Sequence, residues 1–286
     1  MKNFITRAIT GILYAATLIG CISWNHVSLL ILFTVITALT VWEFTTIVNR
    51  NMNLQVNRFI TTASAVYLFA AVWMYNSTLM QAEVFIPYLI SILYLLISEL
   101  YFDRENNILN WAMALMAQLY IALPFSAFNT LCFINTPSGV CYYFWYALSV
   151  FIFLWASDTG AYIFGSWLGK HRLFPRISPK KSWEGSIGGG VTAVVASQAI
   201  AYFIPFSENI YSITSHLLWA GLAVVVVITG TWGDLVESLL KRRLGIKDSG
   251  SILPGHGGML DRFDSSLIAI PAAVIYVYTI MLNIIH

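Results

Sequence analysis

The chain has 286 residues, of which 58% are hydrophobic and 10% charged, against roughly 25% charged residues in an average soluble domain. This excludes a soluble enzyme or binding module, because several apolar stretches exceed the about 18 to 20 residues that carry a helix across the hydrocarbon of a bilayer. The net charge of +2 decides little in a membrane protein, and Cys21, Cys132 and Cys141 show no CxxC pair or other metal-ligand spacing, so zinc and thioredoxin-like redox chemistry have no support.

Apolar runs bounded by polar or turn residues predict nine spans, at about residues 8–24, 27–48, 58–75, 83–102, 108–128, 143–165, 186–205, 214–238 and 265–285. Lys2 and Arg7 before the short apolar stretch ending Leu18-Ile19-Gly20-Cys21 also resemble a bacterial lipoprotein signal, but an uncleaved first helix is the expectation. Trp24-Asn25-His26, residues 49–57 and 103–107, Pro137-Ser138-Gly139 and residues 206–209 supply the breaks. If nine spans alternate in direction, all 15 lysines and arginines fall on the side of the N-terminus. The positive-inside rule then places the N-terminus in the cytoplasm and His286 outside. Cys132 and Cys141 share one inter-helix segment, where two free thiols are expected ahead of a disulfide. The expected fold is an all-α polytopic membrane protein, one integral domain over residues 1–286, with polar cytoplasmic segments at 166–185 and 239–264.

Carboxylates within or at the ends of membrane helices are costly and therefore functional candidates. Glu43 and Glu99 stand alone between apolar neighbours and read as residues that reach the interface or pair with another helix. Asp158, in Ser157-Asp158-Thr159-Gly160-Ala161-Tyr162, shares a helical face with Tyr162, Gly165 and Gly169, a face that a second helix or a ligand could approach closely. Ser178-Pro179-Lys180-Lys181-Ser182-Trp183-Glu184-Gly185 then sets two lysines and two hydroxyls before a glycine-rich helix start, which suits an anion such as phosphate.

Asp234, Glu237, Ser238 and Lys241 follow at i, i+3, i+4 and i+7 and form one stripe. Such a stripe must face the protein interior or a water-filled cavity. Beyond it, Lys241-Arg242-Arg243, Lys247-Asp248, a glycine-rich loop and the run from His256 to Asp264 alternate carboxylates with basic residues. Carboxylates for hard divalent cations beside lysines and arginines for phosphate oxygens are what phosphoryl or nucleotidyl transfer requires.

The stretch S-L-L-K-R-R-L-G-I-K-D-S-G-S-I-L-P-G-H-G-G-M-L-D-R-F-D, from Ser238 to Asp264, resembles the signature of phosphatidate cytidylyltransferases along its whole length. S-D-T-G-A-Y, S-P-K-K-S-W-E-G and G-D-L-V-E-S upstream resemble further family segments, with Ser182 where threonine is common. The resemblance implies that a phosphate oxygen of phosphatidic acid attacks the α-phosphorus of CTP, giving CDP-diacylglycerol and pyrophosphate for phospholipid biosynthesis; the compact single domain suggests a bacterial inner membrane, and the topology puts the active site on its cytoplasmic face. It implies Mg²⁺, with K⁺ as a second cation. The expected metal ligands are Asp234 and Asp261, then Asp158 and Asp264, with Glu237 and Asp248 in reserve. Asp234, Asp261, Lys180 and Lys181 are the expected catalytic residues, and Ser178, Lys181, Arg242, Lys247, His256, Gly257, Gly258 and Arg262 the expected substrate contacts. The implied partners are CTP, phosphatidic acid and membrane lipid, with room for a homodimer and none for nucleic acid. Competing readings are a secondary transporter, for which intramembrane carboxylates are equally expected, and another lipid-phosphate enzyme, such as a polyprenol kinase or a CDP-alcohol phosphotransferase. The D-x2-D-G-x2-A-R pattern of the last is absent.

Overall fold

A computed structural model describes residues 2–102, 104–137, 139–204, 213–250, 252 and 257–285. They fall into two compact units, Met1–Phe144 with Leu240–Phe263, and Trp145–Leu239 with Asp264–His286.

The first unit begins with α1 (Lys2–Trp24) and α2 (His26–Met52), separated at Asn25. The Asn25 side chain accepts from the N–H groups of Val27 and Ser28, both at 2.8 Å, and the Ser28 hydroxyl accepts from the Asn25 N–H at 3.2 Å. This reciprocal cap satisfies first-turn donors that hydrocarbon would leave bare. Next come α3 (Arg58–Asn76), α4 (Ile86–Tyr101) after one 3₁₀ turn, and α5 (Asn107–Ala117), which passes through a π turn at Gln118–Ala122 into α6 (Leu123–Phe128). Pro124 explains the irregularity, since it has no N–H for the helical ladder. A hairpin, β1 (Phe133–Thr136) with β2 (Gly139–Tyr142), ends this stretch, pairing Phe133 with Tyr142 and Thr136 with Gly139. The core is aromatic: Phe33 stacks on Phe128 with ring centres 4.5 Å apart, and Phe125 meets Phe263 edge-on at 5.3 Å.

The second unit opens with α7 (Trp145–Leu168) and the hairpin of β3 (Arg172–Phe174) and β4 (Ser178–Ser182), which runs directly into α8 (Trp183–Phe203). Ser182 caps α8 by accepting from the Gly185 N–H at 3.2 Å. α9 (Ile213–Arg243), whose residues from Leu240 on belong to the first unit, and α10 (Leu260–Tyr276), whose residues up to Phe263 do, with a π turn leading into α11 (Leu282–Ile285), complete the helices. Trp219 of α9 is fully buried between Tyr146 and Phe153 of α7.

The protein is an all-α polytopic membrane protein, and among the described residues its strands are confined to the two short hairpins. Among the described residues eight helical segments, not nine, are long and apolar enough to span a bilayer. The difference lies at the expected first span: α1 has 23 residues, but its described apolar part is the shorter Ile9–Trp24. The polar segments expected at 166–185 and 239–264 contain regular structure among their described residues. The first contains the β3–β4 hairpin, and α9 carries its helix on to Arg243. Cys132 is buried, Cys141 is exposed, and both are free thiols, as expected.

Candidate active site

In the second unit the strand β4 delivers Lys181, whose ammonium pairs with the Asp234 carboxylate of α9. Asp234 in turn lies close enough to Asp264 of α10 for the two carboxylates to interact, and Glu237, fully buried one turn along α9, adds its charge to the same group. Asp264 also accepts from the Ser265 N–H at 2.6 Å. Gly233 permits this convergence: a Cβ there would lie 2.7 Å from the Asp264 carbonyl oxygen and 2.9 Å from that of Ser265, so a side chain would push α9 off α10.

Beside this pair a cavity of about 600 Å³ is lined by Asp158, Tyr162, Gly165 and Gly169 of the α7 face together with Arg172, Lys180, Lys181 and Ser182. The expected face of α7 is therefore real, and its close neighbour is α8, since a Cβ on Gly165 would meet the Gly185 Cα at 3.5 Å. Ser178 starts β4, half-buried, and Lys180 is exposed, its carbonyl accepting from Arg172 at 3.3 Å.

Two carboxylates in contact repel unless a proton or a cation lies between them. Among the described residues no three His, Cys, Asp or Glu side chains are grouped to enclose a metal. Mg²⁺ does not require that, because it is usually held by one or two carboxylates with substrate phosphates and water completing the octahedron. Asp234 and Asp264 fit that role.

In the first unit several signature residues form a closely bonded cluster. Asp261 accepts from Lys241 Nζ on one oxygen and from the N–H groups of Ser249 and Gly258 on the other, each at 2.8 Å. Three of its roughly four acceptor directions are thus taken. That suits a brace better than the metal ligand expected from sequence. Gly257 has a φ of +82° and stands so close to Asp261 that a Cβ would lie 2.6 Å from Oδ2, so glycine is required on both counts.

Sequence reasoning missed Glu43. It is 7% exposed, and its carboxylate accepts from the Ser249 hydroxyl, the Met259 N–H at 2.9 Å and the Leu260 N–H at 3.1 Å. Its partners lie more than 200 residues away, and no local motif signals them. Glu99 does pair as expected, with Arg104 at 2.5 Å and Asn110 at 3.0 Å. Arg242, Lys247 and Asp248 are exposed, the last in the wall of a cavity with Arg50 and Arg58. Arg262 is half-buried, its carbonyl accepting from the Tyr14 hydroxyl at 3.4 Å. His256 lies outside the described residues.

Residues 5–280 match the model of the cytidylyltransferase family. Among curated relatives, a phosphatidate cytidylyltransferase of Staphylococcus aureus (strain COL) is 42% identical over 160 residues, 56% of each chain. Those of Staphylococcus haemolyticus and Staphylococcus saprophyticus are 40% identical over 186 residues (64% of this chain and 65% of the relative) and 45% over 128 residues (44% and 46%). These alignments span about half to two thirds of the relatives' length. With the family match running almost end to end, the chain belongs to the cytidylyltransferase family.

Proposed function

We propose that the protein transfers the cytidylyl group of CTP to phosphatidic acid, forming CDP-diacylglycerol and pyrophosphate. The observation that supports this most is the Lys181–Asp234 pair set against Asp264 beside a cavity lined by Arg172 and Lys180. A phosphatidate oxygen attacks the α-phosphorus of CTP, the bond from that phosphorus to the bridging oxygen of the β-phosphate breaks, and pyrophosphate leaves with the electron pair. The nucleophile is already anionic, so the residues need to align and neutralise rather than remove a proton. Asp234 and Asp264 would hold Mg²⁺, with Asp158 at the cavity wall. Mg²⁺, and K⁺ as a second cation, would supply charge neutralisation at the phosphates. Lys181, Arg172 and Lys180 bind phosphate oxygens, and Ser178 adds a hydroxyl. In the first unit Gly257, Gly258, Lys247, Arg242, Arg262 and His256 are further phosphate contacts implied by the signature, while Asp261 with Lys241 braces Ser249 and Gly258.

The proposal places the enzyme in a bacterial inner membrane with the N-terminus and both basic segments in the cytoplasm. With the first helix also crossing, all 15 lysines and arginines would fall on one side, which supports this. CTP, phosphatidic acid, surrounding lipid and a second copy of the chain are the proposed partners; cross-linking in native membranes tests the last.

Purified protein in detergent, given CTP, phosphatidic acid and Mg²⁺, is expected to release CDP-diacylglycerol and pyrophosphate in equal amounts. No product under conditions where a known enzyme works would overturn the reading. A transporter would instead move solute in reconstituted vesicles without nucleotide turnover.

A further inference from the structure

We infer that Glu43 of α2 is a positioning residue for the loop that binds the nucleotide phosphates, although it lies outside every signature segment. Glu43 joins both ends of the loop at once. One end is Ser249, whose hydroxyl donates to Oε1, and the other is the start of α10, where the Met259 N–H donates to Oε2 at 2.9 Å and the Leu260 N–H to Oε1 at 3.1 Å. The first N–H groups of a helix have no partner within it, so a carboxylate from α2 caps α10 across a gap of 216 residues in sequence. Ser249 passes the constraint on, because its N–H donates to Asp261 at 2.8 Å and its hydroxyl accepts from the Asp261 N–H at 3.3 Å. Asp261 in turn receives Gly258 N–H and Lys241. The backbone of Gly258, one of the proposed phosphate contacts, is thus held by Asp261 through hydrogen bonding, and the Glu43 carboxylate fills the space a Cβ on Gly258 would take.

No charged side chain pairs with Glu43 among these contacts; all three donors are a hydroxyl or backbone N–H groups of the loop and helix start. A carboxylate that needs only to stabilise α2 would gain more from a lysine or arginine. Its geometry serves the loop.

This inference rests on the reading of the loop as a CTP phosphate site. The test compares native protein with Glu43→Gln and Ser249→Ala. Glu43→Gln keeps the shape but turns one acceptor oxygen into a donor facing donors, and Ser249→Ala removes one hydroxyl. For both, the KM for CTP is expected to rise about 10- to 100-fold for Glu43→Gln and less for Ser249→Ala, the range given by losing one to two hydrogen bonds to a charged group, while the KM for phosphatidic acid stays at the native value. Hydrogen exchange at the amides of residues 258–260 should accelerate in both. Unchanged CTP kinetics with unchanged exchange overturns the inference, and so does a parallel loss of both KM values and melting temperature, which would mark a merely structural residue. If Glu43→Gln fails to fold, Ser249→Ala decides by the same readouts. If native protein makes no CDP-diacylglycerol the functional reading fails, and the exchange measurement still decides whether Glu43 holds the loop.

Discussion

Replacing Asp261 by asparagine separates two roles that sequence alone could not. The carboxylate accepts Lys241 on one oxygen and the N–H groups of Ser249 and Gly258 on the other, and the side chains of Asp261 and Lys241 are 7% and 16% exposed. Solvent screening is therefore weak. An asparagine can keep its oxygen toward the two N–H groups, but its amide nitrogen then meets the Lys241 ammonium, donor against donor. Losing a charge-assisted hydrogen bond costs about 1.5–3 kcal/mol, and stripping one partner from a buried pair about 3–5 kcal/mol, so about 3 kcal/mol is expected. At about 2–4 °C per kcal/mol for a chain of this size class, the melting midpoint in detergent falls by roughly 6–12 °C. Activity falls by about 100-fold if the same energy is lost from the reactive complex. Tryptophan fluorescence on heating and CDP-diacylglycerol formation read the two effects. A variant that melts like native protein and is inactive would refute the brace and return Asp261 to direct metal ligation. A double change with Lys241→Met should be less than additive, by about 1–3 kcal/mol.

Lys181→Ala is expected to lower kcat/KM by about 10²- to 10³-fold, the size of one lost electrostatic contact to a transferring group. Lys180→Ala should do less, since successive residues of a strand face opposite sides and it is Lys181 that pairs with Asp234; equal losses would refute that division. Asp234→Asn should abolish turnover, whereas near-native activity would remove Asp234 from the proposed metal site. Burial pushes the Cys132 thiol well above its ordinary range, so at pH 8 it stays protonated and unreactive. An impermeant maleimide added to intact protoplasts should then label the exposed Cys141 and not Cys132, and protection of Cys141 would reverse the proposed orientation.

What was legible in the sequence was whatever depends on nearby residues. The spans follow from runs of apolar side chains, and the Asp234–Glu237–Ser238–Lys241 stripe follows from helical spacing along α9. Asp158 with Gly165 and Gly169 was found in the same way, and all three line one cavity. The β3–β4 hairpin was not legible, because strands as short as Arg-Leu-Phe and Ser-Pro-Lys-Lys-Ser carry no alternating apolar pattern. Yet the hairpin is what distinguishes Lys180 from Lys181, which in sequence are equivalent neighbours. Nor could spacing show that three donors already occupy Asp261, or that Glu43 meets Ser249. Those facts depend on tertiary contacts, and a lone glutamate among apolar residues looks the same whether it pairs with a neighbouring helix or caps a distant one.

The capping of α10 by α2 also has a consequence for biogenesis. Glu43 is synthesised 206 residues before Ser249, so at about 5–20 residues per second a growing chain holds this carboxylate for roughly 10–40 s before its partners exist. During that interval α2 must sit in or beside the bilayer with an acidic group that has no native partner, the costly situation that membrane insertion otherwise avoids. Chains arrested before Ser249 are therefore expected to be poorly retained and rapidly degraded, and synthesis of the segment from Ser249 to Leu260 doubles as the step that makes α2 comfortable in lipid.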